Sequence, residues 1–128
     1  MIQIRQLDHL VLTVRDIPAT CAFYQTVLGM EVITFGQGRT ALRFGQQKIN
    51  LHPAGAEIDP KAQHPTPGSA DLCLLTDTPI ADVAQWLETC GVPIELGIVP
   101  RTGATGNLAS LYIRDPDGNL IELANVIE

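Results

Sequence analysis

The chain has 128 residues and a mass of 13.8 kDa, enough for one domain or for two small modules that share a core. Hydrophobic residues make up 45% and charged residues only 17%, which excludes a disordered chain and predicts that a partner subunit covers part of the surface. The formal net charge of -6 argues against nucleic acids and anionic membranes as partners, because like charges repel.

The first half of the chain has the pattern of one strand, one helix and three further strands. Residues 7–14 are apolar with polar interruptions and include Val, Leu and Thr, which suits a half-buried strand. Asp16 and Pro18 predict the beginning of a helix, which ends before Gly29. Three strand-like segments follow, at residues 31–34, 40–44 and 48–52. The predicted order is therefore βαβββ.

The second half repeats this order. An apolar strand is predicted over 71–75, and Thr78 and Pro79 are predicted to cap a helix that ends at Gly91. The remaining strands are expected over 93–96, 108–114 and 120–125, with the turn 115–119 between the last two.

Residue spacing aligns the two halves. The first strands and helices superimpose at an offset of 62, which aligns His9 with Asp71. The third strands superimpose at 69, which aligns Leu42 with Leu111, and the last at 72, which aligns the strand positions 50 and 122.

The segment between the halves is rich in residues that interrupt secondary structure. Residues 53–68 hold four prolines and two glycines, which predicts a linker between module one, 1–52, and module two, 69–128, of a single domain. The three cysteines have no C-x-x-C spacing and are expected to be buried, reduced thiols. Because neither a signal peptide nor a transmembrane helix is predicted, we expect a cytoplasmic protein.

Two polar side chains in apolar strands are candidates for chemistry. His9 lies on the face of its strand opposite a purely aliphatic face, and Glu122 is a charge inside the strand 120–125. The residues alone leave two interpretations open for each. His9 is either a metal ligand or an ordinary core or surface histidine, and Glu122 is either paired or metal-bound, or an edge-strand side chain that faces water.

The repeated order and three sequence segments carry a resemblance to a known superfamily. With LDHLVLTV at the start, FGQQKINLH in the middle and RDPDGNLIEL near the end, the chain resembles the vicinal oxygen chelate superfamily over its whole length. That superfamily includes glyoxalase I, fosfomycin-resistance proteins, bleomycin-binding proteins and extradiol dioxygenases. The stretch PRTGATGNLASLYIRDPDGNLIEL is most similar to glyoxalase-domain-containing proteins of unassigned reaction. The resemblance implies an α+β fold with two pseudo-symmetric βαβββ modules that form a cupped mixed sheet.

The resemblance also implies a divalent metal ion, Zn, Ni, Mn or Fe, with His9 and Glu122 as ligands in an open cup. Asp71 stands where many relatives have a second histidine, and Asn50 stands where glyoxalase I has a second glutamate. Asp71 is a candidate ligand and, with Glu122, a candidate catalytic base, although a strand-capping role is the alternative. His52 is a further candidate ligand, or else a residue at the rim.

Substrate contacts are expected from the second module. The segment 97–107 is predicted to be a loop in which Arg101 and Thr102 bind a carboxylate or phosphate, unless it is a plain connection. Tyr112 and Asn50 are further candidate substrate-binding residues.

The predicted function is that of a glyoxalase-like, metal-dependent lyase or isomerase that acts on a small anionic substrate with vicinal oxygens. A metal-free protein that binds a drug or metabolite, like bleomycin-resistance proteins, is the alternative. An extradiol dioxygenase ranks third because it would need His52 as a ligand. Relatives often build the cup from modules of two chains, so we expect a homodimer in which one chain or two supply His9 and Glu122 of a site.

Overall fold

The computed structural model describes residues 1–127, which form eight strands and two helices. In chain order these are β1 His9–Val14, α1 Ile17–Thr26, β2 Glu31–Phe35, β3 Arg39–Phe44, β4 Gln47–Pro53, β5 Asp71–Leu75, α2 Ile80–Thr89, β6 Leu96–Thr102, β7 Asn107–Arg114 and β8 Leu120–Ile127. The chain divides into two compact units, residues 1–67 and residues 68 onward. Each unit has the predicted order βαβββ, which confirms the α+β fold with two repeated modules. Neither helix in residues 1–127 is long and apolar enough to cross a membrane.

The first unit is a four-stranded mixed sheet with a helix on one face. The strand order is β1-β4-β3-β2, in which β1 and β4 are parallel and the other neighbours antiparallel. Alternate side chains of these strands are fully or almost fully buried together with Tyr24 of α1; they are Leu12, Val14, Leu42, Ile49 and Leu51. As predicted, Asp16 caps α1, because its Oδ1 accepts the N–H of Ala19 at 3.0 Å.

The second unit has the same architecture, with strand order β5-β8-β7-β6 and β5 parallel to β8. The predicted cap of α2 is wrong in detail, because no side chain at Thr78 or Pro79 accepts a hydrogen bond from the first backbone N–H groups of the helix. Asn125 of β8 does so instead. Its Oδ1 accepts the N–H of Ile80 at 2.7 Å, and its Nδ2 donates to the carbonyls of Thr76 and Thr78, both at 2.8 Å. The last strand therefore holds the beginning of the helix.

A polar turn fixes the pairing of β5 with β8. Oδ1 of Asp115 accepts the N–H groups of Asp117 and Asn119, both at 2.9 Å, as the predicted turn 115–119 requires. The buried Asn119 side chain then accepts the N–H of Ala70 at 2.9 Å, just before β5 begins. This contact sets which β5 residue lies beside Glu122.

The ladders confirm the alignment of His9 with Asp71 and of position 50 with 122, since His9 begins β1 and Asp71 begins β5. The alignment of the third strands is wrong by two residues. Leu42 pairs with Ile49 and Ile113 pairs with Ile121, so Leu42 corresponds to Ile113 and not to Leu111. A shift of two keeps the same strand face, which is why the apolar pattern did not reveal it.

The predicted strand 93–96 and loop 97–107 are also wrong. Residues 96–102 form β6, and only a short turn separates β6 from β7. The prediction of a loop followed from Gly97 and Pro100, because glycine and proline are typical of loops. β6 lies at the edge of its sheet, where the missing N–H of a proline is tolerated. Gly97 has φ +145 and a side chain there would meet Leu111 Cβ at 2.5 Å, so the position needs glycine.

Candidate functional site

The candidate residues of the first unit lie on the face of its sheet opposite α1, which we call the helix-free face of unit 1. Three rows of neighbouring side chains cross this face from β1 through β4 and β3 to β2. The rows are His9, Lys48, Arg43 and Glu31; Val11, Asn50, Ala41 and Ile33; and Thr13, His52, Arg39 and Phe35.

His9 is oriented by the residue before it. Its Nδ1 lies 2.9 Å from Oδ2 of Asp8, and because a carboxylate only accepts, Nδ1 carries the proton. Nε2 has no hydrogen bond within residues 1–127. A histidine whose second nitrogen donates to a carboxylate is typical of metal ligands. Asp8 was not among the predicted site residues, although an Asp-His pair at the beginning of a strand is visible in the sequence.

His52 has a more enclosed environment than His9. Only 4% of the residue is exposed, its Nδ1 lies 3.4 Å from the N–H of Ile58, and its Nε2 lies 3.5 Å from Nη2 of Arg39. Burial lowers the pKa of His52, and the Arg39 charge lowers it further, against an opposing effect of Glu57. The ring is therefore held neutral beside a cation.

In the second unit, Glu122 lies half-buried in β8 between Cys73 of β5 and Tyr112 of β7. Desolvation by burial, together with the negative charge of the neighbouring Glu122 carboxylate, raises the pKa of Cys73 to about 11. Cys73 is exposed, and Cys21 and Cys90 are half-buried, so the prediction of three buried thiols is wrong. All three are free thiols.

Asp71 is exposed at the beginning of β5. It faces a guanidinium that is already paired, since Arg114 donates to both carboxylate oxygens of Glu95 at 2.9 and 3.0 Å. Glu95 raises the pKa of Arg114, and Asp71 adds a smaller effect in the same direction. Asp71 thus keeps both carboxylate oxygens open to solvent or to a ligand.

Two of the predicted substrate-binding residues contact each other. Nε of Arg101 donates to the Tyr112 hydroxyl at 2.8 Å, Nη1 donates to the carbonyl of Pro100 at 2.9 Å, and the guanidinium lies 5.4 Å from the Tyr112 ring centroid. Thr102 follows at the end of β6. Arg101 and Thr102 line an open depression of about 300 Å³ together with Pro100, Asn107 and Ile127.

The four predicted metal ligands are divided between the two units. His9 and His52 lie in different rows of unit 1, and Asp71 and Glu122 belong to unit 2. Within residues 1–127, no three His, Cys, Asp or Glu side chains are placed to hold a metal ion together.

The fold of two βαβββ modules, with polar residues on the sheet faces opposite the helices, indicates the family to which this protein belongs. The family model of the Glyoxalase/Bleomycin resistance protein/Dioxygenase superfamily matches residues 6–123, and the chain belongs to that superfamily.

Relatives and solved structures agree with this assignment. The chain is 57% identical over 124 residues to the virulence protein STM3117 of Salmonella typhimurium, covering 97% of this chain and 86% of the relative. It is 53% identical over 124 residues to the glyoxalase domain-containing protein RDO1 of Mycosarcoma maydis, covering 97% and 70%. The crystal structure of STM3117 superimposes with a TM-score of 0.97 at 56% identity, over 98% of this chain and 100% of that one.

More distant structures share the fold alone. Lactoylglutathione lyase from Agrobacterium tumefaciens is 24% identical with a TM-score of 0.71, over 94% of this chain and 92% of that one. TnmS3, an antibiotic binding protein from a Streptomyces species, is 20% identical with a TM-score of 0.75, over 99% and 100%.

Proposed function

We propose that this protein is a glyoxalase-like, metal-dependent lyase or isomerase that acts on a small substrate with two neighbouring oxygens. The observation that carries the proposal is the Asp8–His9 pair, which leaves Nε2 of His9 as a nitrogen donor of fixed orientation. Glu122 supplies the carboxylate of the same proposed site. A bound divalent ion would act as a Lewis acid on the substrate oxygens.

The donor set fits a divalent transition metal. His9 contributes nitrogen, Glu122 and Asp71 contribute oxygen, and oxygen-rich sets favour the harder ions among Zn, Ni, Mn and Fe. His52 completes the set only if Arg39 moves away from its Nε2, where a cation would repel the metal.

The proton transfer requires a base, and Glu122 or Asp71 takes that role in the proposal. The residue of unit 1 that corresponds to Glu122 is Asn50, which has no proton-accepting carboxylate. The site therefore has one fewer candidate base than glyoxalase I, and the preferred substrate is a small anionic 2-oxo or 2-hydroxy acid whose acidic group Arg101 contacts.

A homodimer completes the site in this proposal. Large apolar side chains face solvent on the sheet faces opposite the helices, with Val11 44% exposed in unit 1 and Leu75 61% exposed in unit 2. Burial of such side chains against a second copy would stabilise the dimer by roughly 1.5 to 3 kcal/mol for each one fully covered. We place this assembly in the cytoplasm, where its three free thiols stay reduced.

The second candidate function is metal-free binding of a drug or metabolite. The observation that favours it is Arg39 beside the neutral His52, because a guanidinium at that place binds an anion directly. Extradiol ring cleavage ranks third, since it needs His52 as an iron ligand and Arg39 occupies that approach.

Metal analysis of the purified protein tests the proposal. We expect close to one divalent ion per chain, lost in His9→Ala and in Glu122→Ala but kept in His64→Ala, which removes an exposed histidine of the segment between the modules. If no metal is found and adding Ni, Mn, Zn or Fe leaves the melting temperature unchanged, the metalloenzyme is wrong and the metal-free binder takes its place.

A further inference from the structure

An aromatic ring on the helix-free face of unit 1 holds two cations. Nζ of Lys48 lies 3.6 Å from the centroid of the Phe35 ring, and Cζ of Arg39 lies 4.8 Å from it. Neither cation forms an ion pair with a carboxylate in residues 1–127, although acidic residues outnumber basic ones by 14 to 8 in the chain. Two cations that contact one ring, neither of them paired with a carboxylate, favour an anion.

The strand register shows what these side chains surround. Phe35 pairs with Arg39 in the third row of the face, whereas Lys48 lies two strands away in the first row. The contact between the ring and Lys48 therefore crosses the middle row above Ala41, which has only a methyl group and is completely buried. Lys48 thus lies on one side of the middle row, and Phe35 and Arg39 lie on the other. We call these three side chains the arc.

Asn50 lies beside Ala41 in the same row. The residue is only 5% exposed, and its Oδ1 accepts no hydrogen bond from any group in residues 1–127. A buried amide oxygen without a donor is costly, and a ligand that brings a hydroxyl removes that cost. Lys48 and Arg39 thus offer positive charge to an acidic group, and Oδ1 of Asn50 can accept a hydrogen bond from a donor next to that group.

We infer that Lys48 and Arg39 bind the acidic group of a small 2-hydroxy acid whose hydroxyl donates to Oδ1 of Asn50. A charge-assisted hydrogen bond is stronger than a cation–π contact, so the anion draws both cations from the ring and Phe35 moves aside. The inference rests on the proposed function for the class of substrate, but the contacts themselves need no metal.

The second unit lacks this arrangement. The ladder positions that correspond to Lys48, Asn50 and His52 carry Leu120, Glu122 and Ala124. The cationic subsite is therefore specific to unit 1. In this inference Lys48 and Arg39 take over the contact with the acidic group that the proposed function gives to Arg101, because Arg101 already donates to Tyr112 and Pro100.

The test is a nitrogen-15 NMR titration of metal-free protein with L-lactate, and with propionate, which has the carboxylate but no hydroxyl. We expect millimolar binding of lactate with shifts at residues 35–52, and weaker binding of propionate. Lys48→Gln and Arg39→Gln each weaken lactate binding about tenfold or more, and Lys48→Arg restores it. Arg43→Gln is the matched control, because that guanidinium on the same face is already paired with Glu31. It binds lactate within about twofold of the wild type.

Asn50→Leu tests the hydroxyl contact separately, since this variant should bind lactate no better than propionate. The inference is overturned if lactate produces no shifts on unit 1, if Lys48→Gln and Arg39→Gln bind like Arg43→Gln, or if Asn50→Leu keeps the preference for lactate. Its failure is distinguishable from that of the proposed function. Lactate binding by a protein that takes up no metal supports the subsite and refutes the metalloenzyme, whereas metal uptake without lactate binding does the reverse.

Discussion

Replacing Asp8 with alanine tests whether His9 acts as an oriented metal ligand. Asp8 accepts a hydrogen bond from His9 Nδ1 at 2.9 Å, which fixes the tautomer with a lone pair on Nε2 and the orientation of the ring. Asp8→Ala leaves His9 in place but allows the ring to rotate and to carry its proton on either nitrogen. Metal affinity should fall without being lost.

The exposure of the pair sets the size of this effect. Loss of such a carboxylate typically reduces metal affinity by about 10- to 100-fold. The side chains of His9 and Asp8 are 44% and 87% exposed, so solvent screens their interaction and the lower end applies. We expect a dissociation constant about tenfold higher, which corresponds to about 1.4 kcal/mol.

Competition with a chromophoric chelator for Zn²⁺ or Ni²⁺ measures this constant. Asp59→Ala is the matched control, because it removes one exposed carboxylate elsewhere in unit 1 and should leave the affinity unchanged. His9→Ala should abolish binding. If Asp8→Ala binds metal as tightly as the Asp59→Ala control, Asp8 does not orient a ligand. The proposal that His9 is a metal ligand then loses the observation that carries it.

Three other outcomes are expected. Asn125→Ala removes three hydrogen bonds at the beginning of α2 and should lower the free energy of unfolding, measured in urea, by roughly 2 to 4 kcal/mol. Asp16→Ala, which removes the cap of α1, should lower it by about 1 kcal/mol. Equal losses in the two variants would contradict the role of Asn125 as the cap of α2. Because its pKa is raised to about 11, Cys73 should react slowly with iodoacetamide at pH 8 and faster as the pH rises, and Glu122→Gln should lower that pKa and speed the reaction at pH 8, as peptide mass spectrometry can follow. Turnover of the glutathione hemithioacetal should be poor, since a missing base costs about 10²- to 10⁴-fold in rate; efficient turnover that persists in Arg101→Ala would refute our interpretation of Asn50 and Arg101.

The sequence predicted those features that depend on neighbouring residues. Asp16 before Pro18 indicated a helix cap, and the turn 115–119 indicated a hairpin, because both use contacts within a few residues. The repeat aligned His9 with Asp71 because each module begins with a strand of five or six residues that is followed closely by a helix.

Features that depend on distant parts of the chain were missed. Asn125 caps a helix more than forty residues earlier, which no local pattern reveals. The strand β6 was hidden because Pro100 and Gly97 are acceptable only at a sheet edge, and edge position follows from the strand order. The cation beside His52 likewise depends on the pairing of β3 with β4.

Mixing two inactive variants tests most directly the claim that His9 and Glu122 bind one metal at a site completed by a second chain. His9→Ala and Glu122→Ala homodimers should each contain no metal. In a mixed dimer, the unaltered His9 of one chain and the unaltered Glu122 of the other form one intact site. Native mass spectrometry should therefore show one metal ion per mixed dimer. Mixed dimers without metal, or a wild-type protein that stays monomeric at micromolar concentration, would contradict the account.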